Sequence, residues 1–342
     1  MILTYKIKHN KDFSSELKKA KQVARFGIEH NVLSSKYVKQ FGLKSIISNQ
    51  ILRKYVKNRK IKQVHNVNLI IPNQGIKVNR KEKMVSIPCL KFSFAYQYLN
   101  NFEKINQIEI NNQFIFISVS IIESEIINKE IAVGVDLNTT GHAAVIVNPQ
   151  TGKVIKLGKK ANHIHTKYKN IRKDLQKKGK YKKVKTIKDR ESRIVKDLNH
   201  KISKKIVQFA IESNANINLE DLTDIRKTAK LKKPFKYALN SWSFYQLKQM
   251  IEYKAKLQGV KVVKIDPCYT SKSCSRCGFL GNRNDKIFKC PHCGHVDHAD
   301  GNAGFNIALK SNSIDLSIVD RDALERSTDT RQKAMVSIQS QP

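Results

Sequence analysis

The spacing of apolar positions changes period along the first 125 residues of the chain. In ILTYKIK (2–8) the alternation is that of a strand. From Asp12 to about Lys60 the period becomes helical. In SSELKKAKQVARFGIEH (14–30), Leu17, Ala20, Val23 and Ala24 recur at spacings of three and four, and the Ser14-Ser15 pair is the expected cap. LKSIISNQILRKYVKNRK (43–60) predicts a second helix with one apolar and one basic face. Between Asn68 and Ser124 strands return as NLIIP, KMVSIP, LKFSFAY, NQIEI and QFIFISVSI, separated by Asn, Gly and charged turns. The pattern predicts a small β-domain, residues 1–10 and 61–125, with a helical insertion, 11–60, after its first strand.

A mostly polar joint, Glu125 to Glu130, separates this part from the next. IAVGVDL, HAAVIVN and KVIKL then read as three strands. A very basic helical region, about His165 to Ala210, leads to the strand ANINLED, a helix around SFYQLKQMIEYKAKLQG and the strand VKVVKID. Strands interleaved with helices predict an α/β domain with a mixed sheet. Trp242, Tyr245 and Tyr253 on that helix read as core packing rather than base-stacking platforms. After Lys310 the composition turns to Ser, Asp, Thr, Gln and Arg, and 313–342 is expected to be a disordered tail.

Composition narrows the partners. Of 342 residues, 40% are apolar, enough for about two domains with real cores. Lys and Arg total 65 against 28 acids, a formal charge of +37. Self-repulsion on that scale calls for a polyanion, and nucleic acid fits it better than a membrane surface or an acidic protein. No apolar run approaches the ~18 residues that span a bilayer, and MILTYKIKHN lacks the apolar stretch of a secretory signal. We therefore expect no membrane partner and a cytoplasmic, nucleoid-associated protein. In that compartment the six cysteines are expected to be reduced or metal-bound. Cys89 and Cys268 stand apart and read as ordinary thiols.

The other four have a pattern. Cys274-x2-Cys277, a twelve-residue spacer and Cys290-x2-Cys293 form two knuckles, each followed by glycine (Gly278, Gly294). Two knuckles present four thiolates to one Zn2+, whereas a redox dithiol needs only one such pair. A closed four-thiolate site leaves no open position, so its role is structural. His292, His295 and His298 lie nearby and are expected outside the ligand set.

In a chain so short of acids, a carboxylate beside an apolar strand stands out. Asp136 follows IAVGV, Glu220 ends NANINL, and Asp300 opens the segment NAGFNIALK. Each is costly to bury without a cation, and phosphodiester cleavage with Mg2+ or Mn2+ needs such a set of oxygen ligands. Singly, Asp136 also reads as a turn residue, Glu220 as a strand-end acid and Asp300 as an N-cap.

GVDL, NLEDL, SWSFYQLKQMIEYKAKLQGVKVVKIDPCYTSKSCSRCG and CPHCGHVDHADGNAGFNIA together resemble the TnpB proteins of insertion sequences, small relatives of type V CRISPR effectors. The resemblance covers roughly 130–310, including RESRIVKDLNHKISKKIV. It implies an α+β multidomain chain, with an N-terminal β-barrel-like wedge domain carrying a helical recognition insertion. A split RNase H-like (RuvC) α/β domain would follow, residues 130–268 and 298–312, with a zinc ribbon, 269–297, inserted. By motif position Asp136, Glu220 and Asp300 would be the catalytic acids, binding Mg2+. The implied activity is RNA-guided cutting of double-stranded DNA beside a short motif, with a guide RNA transcribed from the element's own end. A repressor or transposition accessory protein with little nuclease activity is the alternative. The chain departs from the family in having Asn138, Thr139, Thr140 and Gly141 after GVDL, where a glycine usually comes first, and in Gly301 and Gly304, where residues are often larger.

Beside such a centre, the cationic run 165–205, with Tyr168 and Tyr181 interleaved, reads as a groove for a guide–target heteroduplex. Arg172, Lys173, Lys182, Lys183, Arg193 and Lys201 are the candidate contacts. We expect the protein to work as a monomer.

Overall fold

The alternating N-terminal run forms β1 (Ile2–Lys8), and the helical run forms α1 (Ser14–His30) and α2 (Ser45–Tyr55). The computed structural model describes residues 1–58, 60–96, 102–138, 141–222 and 244–310. The chain divides into two compact units, Met1–Glu123 and Ser124–Pro342. Strands β2 (Leu69–Pro72), β3 (Lys77–Asn79), β4 (Met84–Ile87), β5 (Phe92–Ala95), β6 (Phe102–Ile110) and β7 (Phe114–Ile121) complete the first. They form two antiparallel sheets, ordered β1-β7-β6-β2 and β3-β4-β5. Among the described residues these strands pair as two separate sheets.

The helical insertion is no separate body. Ala20, Val23, Ile47 and Ile51 lie in the same core as Leu69, Ile71, Ile108 and Ile117. The start of α1 is held differently from expectation. Neither Ser14 nor Ser15 caps the helix; Asp12 Oδ1 accepts from the Ser14 amide (2.9 Å) and hydroxyl (2.6 Å) instead. A carboxylate outcompetes two hydroxyls because ionised acceptors make the stronger bonds.

In the second unit, β8 (Ala132–Leu137), β9 (Ala144–Val147) and β10 (Val154–Leu157) run antiparallel as a meander. Two helices follow, α3 (Lys160–Lys177) and α4 (Tyr181–Glu212), where the basic run had read as one region. The break is at Gly179, whose φ of +65° suits a residue without a Cβ. Then come β11 (Asn216–Glu220), α5 (Phe244–Leu257) and β12 (Val262–Ile265). The sheet order is β10-β9-β8-β11-β12, with β11 parallel to both neighbours, so the mixed sheet is as the pattern predicts. A small sheet follows, β13 (Asn282–Asn284), β14 (Ile287–Lys289) and β15 (Val296–His298), and the last described helix is α6 (Ala299–Leu309).

β8 is apolar along most of its length, and every residue of β11 is buried, because both faces of the two strands are covered. One face meets a core that includes Ile202, Ile206, Leu247 and Ile251 from α4 and α5. α6 covers the other face, and its small residues let it come close. A Cβ on Gly134 of β8 would stand 2.0 Å from the Gly304 carbonyl oxygen and 2.6 Å from the Ala308 nitrogen. Both obstacles are backbone, which cannot swing aside. Gly134→Ala is expected to cost about 3 kcal/mol through overpacking, read as a lower urea midpoint; an unchanged midpoint would show that α6 has room to retreat. Gly304 itself lies against Val147, where a Cβ would approach to 2.5 Å.

The rings on α5 differ from expectation. Tyr245 is 69% exposed and packs in no core, while Tyr253 is half-buried with its hydroxyl 3.5 Å from His200 Nδ1. Trp242 and the expected tail, 313–342, lie outside the described residues. Among the described residues no helix is long and apolar enough to cross a membrane.

Candidate active site

Parallel pairing brings two of the three acids together. Leu219 of β11 pairs with Val135 of β8, and the next residue on each strand is an acid, Glu220 and Asp136. α6 packs on β8 and starts at the same end of the sheet, with Asp300 as its second residue. All three are buried, Asp300 completely. None is the turn residue or cap that its local sequence also allowed. Asp136 lies inside β8 opposite Val145, and the cap of α6 is His298, whose Nδ1 accepts from the Asp300 amide at 3.3 Å.

Their electrostatics show a deficit of positive charge. Burial pushes the Asp136 carboxyl up to about 7, and the Glu220 and Asp300 charges push it the same way. Burial also raises Glu220. Each carboxylate is held by a different partner. Asn138 Nδ2 donates to Asp136 Oδ2 at 2.8 Å and so orients the first acid. The Thr270 hydroxyl donates to Glu220 Oε1. Lys286 Nζ bridges the two Asp300 oxygens at 2.8 and 3.0 Å, and Arg283 Nη2 adds a contact at 3.2 Å.

Three buried carboxylates, two of which push up the third, suit a hard divalent cation, which would lower the cost of ionising them together. The donor set therefore fits Mg2+ or Mn2+, with Asp136, Glu220 and Asp300 as the residues that would hold it.

The cysteines form a tighter group. The Sγ atoms of Cys274, Cys277, Cys290 and Cys293 all lie within 4.8 Å of one another. Cys274–Cys293 is 3.7 Å and Cys277–Cys290 is 3.5 Å. A tetrahedron with Zn–S bonds of about 2.3 Å has edges of about 3.8 Å, so the four sulfurs fit Zn2+ nearly as they stand. Burial, with the neighbouring sulfurs, pushes the Cys277 thiol up to about 12, whereas the His295 amide draws Cys293 down to about 7. No histidine joins the set; His292 stacks on Phe279 with ring centres 3.8 Å apart.

Two asparagines of α6 fasten this ribbon to the sheet. Asn302, fully buried, donates to the Ser273 carbonyl (2.7 Å) and accepts from the Ser275 amide (2.8 Å). Asn306 Nδ2 donates to the carbonyls of Thr270 (2.8 Å) and Ser273 (2.7 Å).

The candidate nucleic-acid contacts divide. Lys173, Lys182, Lys183 and Arg193 are exposed on α3 and α4. Lys201 is exposed and pairs with Asp197 one turn earlier at 2.7 Å. Arg172 is half-buried and its guanidinium pairs with Glu191, a buried acid that also binds His165 Nδ1 at 2.9 Å. This pairing ties α3 to α4. Tyr168 is buried, while Tyr181 is exposed.

Sequence reasoning passed over Asn138 as an orienting group, and missed Thr270, Arg283 and Lys286. Polar residues in such runs as YTSKS and NRNDK are common, and nothing local tells which will face a buried acid.

Residues 244–307 match the family model described as the Cas12f1-like TNB domain. A TnpB-like protein of Methanocaldococcus jannaschii is 34% identical over 233 residues, which is 65% of this chain and 83% of that protein. The chain belongs to the TnpB family. The CRISPR-associated endodeoxyribonuclease Cas12f1 of Sulfoacidibacillus thermotolerans is 43% identical over 138 residues, 38% of this chain but only 31% of that longer protein. A cryo-EM structure of a Cas12f1–sgRNA–target DNA complex matches with a TM-score of 0.55 at 16% identity, over 86% of this chain and 82% of that one. This TnpB-family chain therefore has an α+β fold like that of Cas12f1 despite low identity.

Proposed function

We propose that this protein is an RNA-guided DNA endonuclease of a transposable element, carrying a guide RNA transcribed from the element's end. It cuts matching double-stranded DNA beside a short motif, as a monomer. The observation that carries the reading is the convergence of Asp136, Glu220 and Asp300, from distant segments, as buried carboxylates at one end of the sheet. Stability alone does not account for such a grouping, because buried like charges cost free energy. The named relatives supply the substrate class. One is an endodeoxyribonuclease, and the matching structure is a complex with sgRNA and target DNA.

In this reading the three carboxylates hold Mg2+, which, when bound, activates water and stabilises the leaving oxygen of the phosphodiester. The chain does the rest. Asn138 and Thr270 hold Asp136 and Glu220, and burial of all three acids strengthens their pull on a cation. Arg283 and Lys286, lying on Asp300, supply positive charge where a phosphate would enter. Cys274, Cys277, Cys290 and Cys293 would hold Zn2+, which would brace the hairpin that carries Arg283 and Lys286. The exposed cations of α3 and α4 take phosphate contacts of the guide–target duplex, which base pairing reads for sequence.

The test is to express the protein with its native flanking DNA, purify it and sequence the RNA that accompanies it. One abundant species is expected, with a fixed structured part and an end matching DNA outside the gene. A duplex matching that end should then be cut in Mg2+. Heterogeneous RNA removed by salt would refute guidance, and guided binding without cutting would make the protein a repressor.

A further inference from the structure

Thr270 lies between the nuclease sheet and the zinc ribbon. It follows β12, whose last residue, Ile265, pairs with Glu220, and it precedes the first zinc-type cysteine, Cys274, by four residues. The turn from 267 to 273 closes tightly: Tyr269 has φ +60°, and the amides of Lys272 and Ser273 both donate to the Tyr269 carbonyl. This closure carries the chain back over the end of β11. Thr270 is only 3% exposed there, with its hydroxyl on Glu220 Oε1 and its main-chain carbonyl accepting from Asn306 of α6. One residue thus touches the second acid and the helix that bears the third, at the root of the ribbon.

We infer that Thr270 is a positioning residue for the nuclease centre, holding Glu220 Oε1 so that its other oxygen is set for a divalent cation. The inference rests on the nuclease reading above. A carboxylate in a buried site can rotate among several orientations, and a single fixed donor selects one of them. Groups that orient metal ligands in this way affect affinity without touching the metal. Threonine suits the task better than a longer donor, because its β-branch restricts χ1 and its methyl fills the remaining space.

A purely local role would look different. The hydroxyl also lies 3.0 Å from the Pro267 carbonyl, and a turn could be stabilised by that contact alone. Loss of the turn contact would lower the melting temperature and leave cation affinity where it was. Loss of a positioning bond would weaken cation binding in a protein that is still folded.

The experiment is calorimetric titration of Mn2+ into the full-length, zinc-loaded protein, with zinc content and melting temperature measured on each sample. For Thr270→Val, which keeps the shape and removes the donor, the Mn2+ Kd should rise about tenfold or more, with zinc content unchanged. Thr270→Ser, which restores the donor, should return the Kd close to wild type. Thr270→Ala replaces Thr270→Val if the latter does not fold. Wild-type affinity in Thr270→Val, or equal weakening in Thr270→Ser, would overturn the assignment while leaving the nuclease reading intact. A wild-type protein with no Mn2+ site abolished by Asp136→Asn would remove the nuclease reading and this role with it.

Discussion

Asp136→Asn is expected to stop cleavage of a matched duplex, by about a thousandfold or more given that a bound metal contributes several kcal/mol to the transition state, and to leave RNA and DNA binding in place. The same change should stabilise the metal-free protein at pH 8. Burial, then the charge of Glu220, raises the Asp136 carboxyl from an ordinary 3.8 to about 7. The unfolded chain releases this proton near pH 4 and the folded protein holds it until about pH 7. Folding stability is therefore lost as pH rises through that window, and the loss is complete above it. Asparagine does not ionise, so its advantage is present at pH 8 and disappears towards pH 4. Melting curves at the two pH values, without divalent ions, measure it. Millimolar Mg2+ should narrow the gap at pH 8, because a ligand of the folded state stabilises it by mass action. Unimpaired cutting by Asp136→Asn would take this carboxylate out of the mechanism. A melting temperature lower than wild type at pH 8 would contradict the charge deficit.

Removing zinc should be as damaging to cutting, by a different route. The core of the ribbon is small: Phe288 and Ala299 with Cys274 and Cys290, and Cys277 at its margin. So few apolar side chains cannot hold three short strands together, whereas a structural Zn2+ supplies about 10–16 kcal/mol. Cys290→Ser, at a nearly buried ligand, is expected to bring zinc content from about one per chain to near zero. The consequence extends to the acids, since the ribbon hairpin carries Arg283 and Lys286, which pair with Asp300, and its root carries Thr270. Cleavage should fall with zinc content, and proteolysis should open within 274–293 before it reaches the sheet. Full cutting by zinc-free protein would show that the ribbon and the carboxylates are independent.

Much of this protein is legible locally, for identifiable reasons. The alternation in 2–8 and 114–121 predicts strands because one face of each meets a core, and both form. The apolar run that opens β8, AVGV, predicts a strand covered on two sides. The two CxxC knuckles predict four converging sulfurs because knuckle geometry is set within a few residues of each pair. Expectation fails where neighbours from elsewhere decide. Tyr245 faces solvent, and Arg172 pairs with Glu191.

The sequence by itself determined the elements, the charge that calls for a polyanion, the thiolate set and the three acids worth watching, because each depends on side-chain type and short spacing. Only the tertiary structure decided that the acids lie at one end of the sheet and which groups hold them. Parallel pairing of β8 with β11, and the close seat of α6 over Gly134, bring residues 136, 220 and 300 to one end of the sheet. The same packing places Asn138, Thr270 and Lys286 against them. Contacts between residues so far apart in the chain are set by how strands and helices pack, and no local pattern encodes them.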